Sequence, residues 1–222
     1  MREFTAKEID VMCSKYLREF LGDYYPQYAP IDIDGFLCEY LNSNVCYRKL
    51  SPNGEILGLS VFSEMSLNIL VDDEPVEEVF PPNTVIIDEA LMDERQFGRR
   101  NYTKAHEAVH GIINGENPSD VVLCYRRGKA STNYERIIDR AASKLLLPDN
   151  TVRTVFSIFM GANHIARINP LFNIKHYEDF CAMAKHLLVS KKALSIRLLQ
   201  LGLVDIADYE RPHDFLNIYC EV

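Results

Sequence analysis

Apolar residues recur at helical spacing near the start of the chain. Ile9, Met12, Cys13, Tyr16, Leu17 and Phe20 fall on one face, which predicts a helix over 5–24 with Gly22 as a stop signal. Beyond Pro26 and Pro30, the apolar positions Ile33, Phe36, Leu37 and Leu41 predict a second, shorter helix over 31–41. The pattern then breaks into short β-prone runs at Val45–Tyr47, Ile56–Phe62, Leu67–Val71 and Val85–Ile87. Pro-Asn-Gly, Asp-Asp and Pro-Pro-Asn separate them, so this region predicts a small sheet of about three or four strands. From Arg99 the helical period returns. One helix is expected over 102–113, ending near Asn114-Gly115, and another over 133–147, stopped by Pro148. Several further helical segments follow over 152–219, and neither an internal repeat nor a low-complexity linker is visible.

Composition narrows the class. With 222 residues, 47% of them hydrophobic and 25% charged, the chain can build a substantial core. Its net charge of −8 argues against a protein whose main task is neutralising phosphates, so direct nucleic-acid binding is not expected. No apolar run approaches the roughly 20 residues that span a bilayer, and the charged start Met1-Arg-Glu-Phe-Thr-Ala-Lys-Glu8 lacks a signal-peptide core. A cytoplasmic protein without membrane partners is the expectation. The cysteines Cys13, Cys38, Cys46, Cys124, Cys181 and Cys220 form no C-x-x-C pair and read as reduced, mostly buried thiols. Much of the negative charge lies between Val71 and Gln96, which reads as a solvated loop or as a surface that steers basic partners.

The segment Tyr102-Thr-Lys-Ala-His106-Glu107-Ala-Val-His110-Gly111 carries the chemistry. It contains His-Glu-x-x-His on an expected helix, where positions i and i+4 are offset by about 40°, so His106 and His110 can share one metal ion. Glu107 sits one step round, within reach of a water at that ion. Ala105, Ala108, Val109 and Ile112 mark the helix as largely buried, and two imidazoles there need partners. Zinc chemistry asks for a third protein ligand and an open fourth position. His164, His176, His186 and His213 lack the spacing of the extended zinc motif, because position 116 is Glu.

The next helix offers Glu135, three residues before Ile138 and seven before Ala142, as an extension of the apolar stripe Ile138, Ala141, Ala142 and Leu145. A carboxylate there must be paired or coordinated. Asp139, one turn on, can accept the second N–H of a liganding imidazole. The expected mechanism has Zn2+ on His106, His110 and Glu135 acidifying water, with Glu107 taking the proton during attack on a carbonyl. Tyr102, Tyr134 and His164 are candidate donors to the oxyanion, and a strand edge around Leu67–Val71 is a candidate for aligning an extended peptide.

These residues resemble a known family. Tyr-Thr-Lys-Ala-His-Glu-Ala-Val-His, preceded by Val-Ile-Ile-Asp-Glu and followed by Glu135-x-x-x-Asp139-x-x-Ala-x-x-Leu-Leu-Leu-Pro148, is similar to the ImmA/IrrE zinc metallopeptidases. Ala29–Ile33, Ile56–Gly58 and Val189–Leu203 resemble further family segments, so the likeness runs from about residue 29 to 203. It implies zinc on His106, His110 and Glu135, Glu107 as catalytic carboxylate, and cleavage of helix-turn-helix repressors that silence mobile elements or stress genes. Ala108-Val109 stands where the family usually has Leu-Gly, Asp139 where it has Asn, and Ala141 where it has Phe.

The expected architecture is α+β. A zincin-like catalytic domain over 1–150 would hold a small antiparallel-containing sheet and the active-site helix. A helical subdomain over 151–222 would be helix-turn-helix-like at 177–203, with Lys185, Lys191, Lys192 and Arg197 as its basic residues. The expected function is a zinc-dependent metalloendopeptidase acting on a specific intracellular protein. The alternative is a regulatory DNA- or protein-binding module with a structural or degenerate metal site.

Overall fold

The structure, a computed structural model, describes residues 4–23, 25–116, 123–126 and 133–207, with side chains for all of these except 123–126. Cys220 and His213 and the side chain of Cys124 lie outside the described residues. The architecture is α+β, and the chain forms two compact units, Met1–Tyr24 with Asp32–Leu146 and Tyr25–Ile31 with Leu147–Val222.

In the first unit, α1 (Ala6–Leu21) begins at a capping box in which the Thr5 hydroxyl accepts from the Glu8 amide and the Glu8 carboxylate accepts from the Thr5 amide. It ends at Gly22, whose φ of 65° suits a residue without a Cβ. Its buried face is Ile9, Cys13 and Leu17, as the helical spacing predicts. The second expected helix forms as one short turn, α2 (Ile33–Gly35), followed by a wider π-helical turn over Phe36–Tyr40.

The β region is richer than its apolar runs suggest. Strands β1 (Asn44–Arg48), β2 (Ile56–Val61), β5 (Thr84–Asp88) and β6 (Leu123–Arg126) form one sheet in the order β1-β5-β2-β6. β1 and β5 run parallel, while β2 is antiparallel to both β5 and β6. β3 (Met65–Val71) and β4 (Glu74–Phe80) form a separate antiparallel hairpin. Part of the expected acidic loop is therefore strand β4. Asp72 and Asp73, both at positive φ, turn the chain between the two strands. Around Leu67–Val71, where a strand edge is expected, β3 pairs with β4 on one edge, and on its other edge Leu70 donates its amide to the Lys49 carbonyl in an isolated bridge. Ile69 and Phe80 from the hairpin pack with Leu59, Val61 and Ile86 of the sheet.

Across the sheet lies α3 (Phe97–Glu116), longer than its expected 102–113 span. Every residue from Thr103 to His110 is buried, because α3 contacts β2, β5, α1 and α4 (Asn133–Leu146) on different sides. α4 buries Ile138, Ala141, Ala142 and Leu145, the stripe expected from its sequence. Ion pairing of Lys144 with Asp10 ties α4 to α1.

The second unit holds α5 (Asp149–Met160), β7 (Ile165–Ile168), α6 (Ile174–His186), α7 (Lys191–Gln200) and β8 (Val204–Ala207), with β7 and β8 paired in parallel. α6 and α7 are joined by a tight turn in which Leu188 takes φ 55° and Ser190 caps α7 by accepting from the Ala193 amide. One of the basic residues of the expected helix-turn-helix-like segment is buried. The Arg197 side chain is 4% exposed; it donates to the Leu147 carbonyl at 2.9 Å and pairs with Asp149. Among the described residues, no helix is long and apolar enough to cross a membrane.

Candidate metal centre

α3 and α4 bring the expected ligands together. His106 Nε2 lies 3.1 Å from His110 Nε2 and 3.2 Å from Glu135 Oε2, and His110 Nε2 is 3.8 Å from the same carboxylate oxygen. The two histidines stand at i and i+4 of the helix, which sets their rings side by side with centroids 4.8 Å apart. Glu135 reaches them from the first turn of α4. Three potential ligand atoms therefore form a small triangle. Ligands at about 2.0–2.1 Å in tetrahedral geometry stand about 3.3 Å from one another, so the spacing fits a single divalent ion. His106, His110 and Glu135 could hold a metal ion.

Hydrogen bonding orients the first histidine. His106 Nδ1 lies 3.1 Å from Asp139 Oδ1, and a carboxylate can only accept, so Nδ1 carries a proton and Nε2 turns toward the triangle. Asp139 thus stands where an outer partner of a ligand is expected. Tyr102 holds Asp139 in turn, its hydroxyl donating to the Asp139 carbonyl at 2.9 Å. His110 Nδ1 is buried with no hydrogen-bond partner among the described residues.

The electrostatics of the metal-free cluster are those of a cation site. Burial opposes charge on His106, yet hydrogen bonds to Asp139 and Glu135, with the nearby Glu107 charge, raise its pKa to about 9. Burial and the His106 charge push His110 well below its ordinary value, so His110 stays neutral with a lone pair to offer. A proton on His106 Nε2 then sits among groups that all attract a cation. Binding a metal ion there displaces that proton.

Glu107 is fully buried. Burial raises its pKa to about 7, against the lowering influence of His106 and of a hydrogen bond from Ser60. The Ser60 hydroxyl on β2 donates to Glu107 Oε2 at 2.5 Å, whereas Oε1 has no partner among the described residues. A carboxyl group poised near neutrality can serve as a proton acceptor and donor.

The three candidate oxyanion donors fall in different places. Tyr102 is engaged with Asp139, and Tyr134 lies half-buried in α4 immediately before Glu135. His164 belongs to the other unit, where its Nε2 faces Asp205 Oδ1 at 3.1 Å. The structure also adds Ser60, which the sequence reading did not single out. Its signal was the placement of two small residues, Gly58 and Ser60, at i and i+2 among larger apolar residues of one strand.

No known family model matches the chain, and no curated protein matches it.

Proposed function

We propose that this chain is a zinc-dependent endopeptidase of the ImmA/IrrE type, with a zincin-like catalytic unit. The convergence of His106, His110 and Glu135 beside the buried carboxylate of Glu107 carries this reading. A site that only stabilised the fold would need no acid–base group next to its ligands, whereas hydrolysis does.

His106, His110 and Glu135 would hold the ion. A divalent ion in such a site supplies Lewis acidity, polarising a peptide carbonyl and acidifying water. Glu107 accepts a proton from the attacking water and passes it to the leaving amine. Asp139 keeps the His106 ring in one tautomer, and Tyr102 fixes Asp139. The substrate class is an intracellular protein, a helix-turn-helix repressor, cleaved in the cytoplasm. The burial of Arg197 leaves α7 with Lys191 and Lys192 as its exposed basic residues, which weakens the alternative of a DNA-reading module.

Metal analysis of the purified chain should find one zinc per molecule. Incubation with a helix-turn-helix repressor should yield a discrete cleavage product. Glu107→Gln should keep the zinc and lower the cleavage rate by about 10²–10⁴-fold. Undiminished cleavage by that variant would sink the catalytic assignment, and full zinc retention by Glu135→Ala would sink the ligand assignment.

A further inference from the structure

β2 passes across α3 at the level of Glu107. Residues 58 and 60 share one face of the strand, because side chains alternate with a period of two. Ser60, 1% exposed, places its hydroxyl 2.5 Å from Glu107 Oε2, although 47 residues separate the two in sequence. Gly58 leaves room beside it. A Cβ at position 58 would stand 2.7 Å from Glu107 Oε1 and 2.6 Å from the methyl carbon of Thr103, closer than side chains tolerate. Any larger residue at 58 therefore forces the carboxylate or the Thr103 side chain to shift.

We propose that Ser60 is a positioning residue for the reaction. Its hydroxyl anchors one oxygen of Glu107, and the absent side chain of Gly58 lets the other oxygen occupy its place against β2. The inference rests on the reading of Glu107 as the group that handles the water proton. A carboxylate with both oxygens loose samples several rotamers, and acid–base catalysis falls when the acceptor strays from its line to the proton. One short hydrogen bond from a rigid strand removes that freedom. Because Ser60 makes its contact with Glu107 and not with His106, His110 or Glu135, its loss should separate carboxylate placement from metal affinity.

The test uses the full chain loaded with Co2+, whose visible absorption reports ligand binding, and acetohydroxamate as the probe. A hydroxamate chelates a divalent ion through its two oxygens and gives its hydroxyl proton to a carboxylate held nearby. Wild type should bind Co2+ and acetohydroxamate. Ser60→Ala should hold Co2+ as wild type does yet bind acetohydroxamate about tenfold more weakly, the scale of one lost hydrogen bond to a charged group. Gly58→Ala should lose affinity in the same direction, Glu107→Gln should set the floor, and Ser60→Thr, which keeps the hydroxyl, should bind as wild type. Thermal melts confirm that each variant is folded. Wild-type hydroxamate affinity in Ser60→Ala overturns the proposal while the metal site stands. A loss of Co2+ affinity equal to the hydroxamate loss, or a Ser60→Thr defect as large as that of Ser60→Ala, also overturns it. Failure of wild type to take up Co2+ removes the metallopeptidase reading itself, and the positioning role with it.

Discussion

α3 and α7 both bury ionisable side chains, and the treatment of those side chains differs. On α7, Arg197 donates to the Leu147 carbonyl and pairs with Asp149 at the start of α5, and it reaches Gln200 of its own helix at 3.4 Å. Its charge is answered from several directions within its own unit. On α3, His106, His110 and Glu107 are at least as deeply buried, yet Glu107 Oε1 and His110 Nδ1 have no partner among the described residues. Buried polar groups left short of partners reduce stability. Where they converge on a motif with metal-ligand spacing, the deficit marks a site arranged for something other than holding the fold together. The contrast is the one the proposed function expects, with Arg197 serving the fold and the histidine helix carrying the candidate metal site.

That contrast can be broken by mutation. Arg197→Ala should destabilise the chain by about 3 kcal/mol, because it strips a buried charge from its partners and leaves the Leu147 carbonyl unanswered. On a chain of this size the melting temperature should fall by roughly 6–12 °C. Metal content should not change. A melt within a degree or two of wild type would show that Arg197 is not the structural counterpart of the site.

Glu107→Gln should act in the opposite sense on stability. Without metal, burial raises the Glu107 pKa from its ordinary 4.5 to about 7. A group raised in this way contributes stability below pH 4.5 and loses it as pH passes through 7. His106, raised from 6.5 to about 9, contributes below pH 6.5 and loses it by about 9. Both slopes point downward with rising pH, while the depressed pKa of His110 favours the folded state above pH 6.5. The metal-free wild type should therefore melt at lower temperature at pH 9 than at pH 6.5. Glu107→Gln should flatten that decline and, at pH 8, raise the melting temperature by roughly 2–4 °C, the equivalent of about 1 kcal/mol. A variant that is less stable than wild type at pH 8 would show that Glu107 is held as comfortably as Arg197.

Legibility in the sequence followed the same physical line. α3 and α4 were readable because apolar periodicity and the His-Glu-x-x-His spacing are local, and Glu135 followed from the stripe that it extends. β4 was not. Glu74-Pro-Val-Glu-Glu-Val exposes almost every side chain, so the alternation that betrays a half-buried strand is missing, and its pairing with β3 is what makes it a strand. Arg197 was read by its charge, although its place three residues after Leu194 and beside Leu198 put it on the buried face of α7. Ser60 and the bond from Tyr102 to Asp139 depend on contacts between distant segments, which no local pattern encodes.

A smaller effect sharpens the outer edge of the site. Asp139 is about a third exposed and touches His106 Nδ1, so Asp139→Ala should leave all three ligands in place but free the ring to turn. Metal affinity should fall by about 10–100-fold, as is usual when such a partner is lost. Unchanged affinity would mean that helix geometry alone orients His106. Tyr102→Phe should cause a lesser loss in the same direction, since it acts through Asp139.

The smallest expected effect concerns the acidic hairpin. Asp73, Glu78 and Asp93 are paired with Lys49, Arg48 and Arg95, so part of the local charge is already answered. Glu74 and Glu77 are exposed on β4 and in no ion pair among the described residues. If they steer a basic substrate, the double variant Glu74→Gln/Glu77→Gln should slow cleavage at low salt by about threefold and should lose part of its dependence on ionic strength. Cleavage rates measured from about 20 to 300 mM salt decide the matter, a range over which screening shortens the reach of exposed charges several-fold. Identical salt profiles for the variant and wild type would reduce these glutamates to the ordinary task of keeping an exposed strand edge from pairing with other chains.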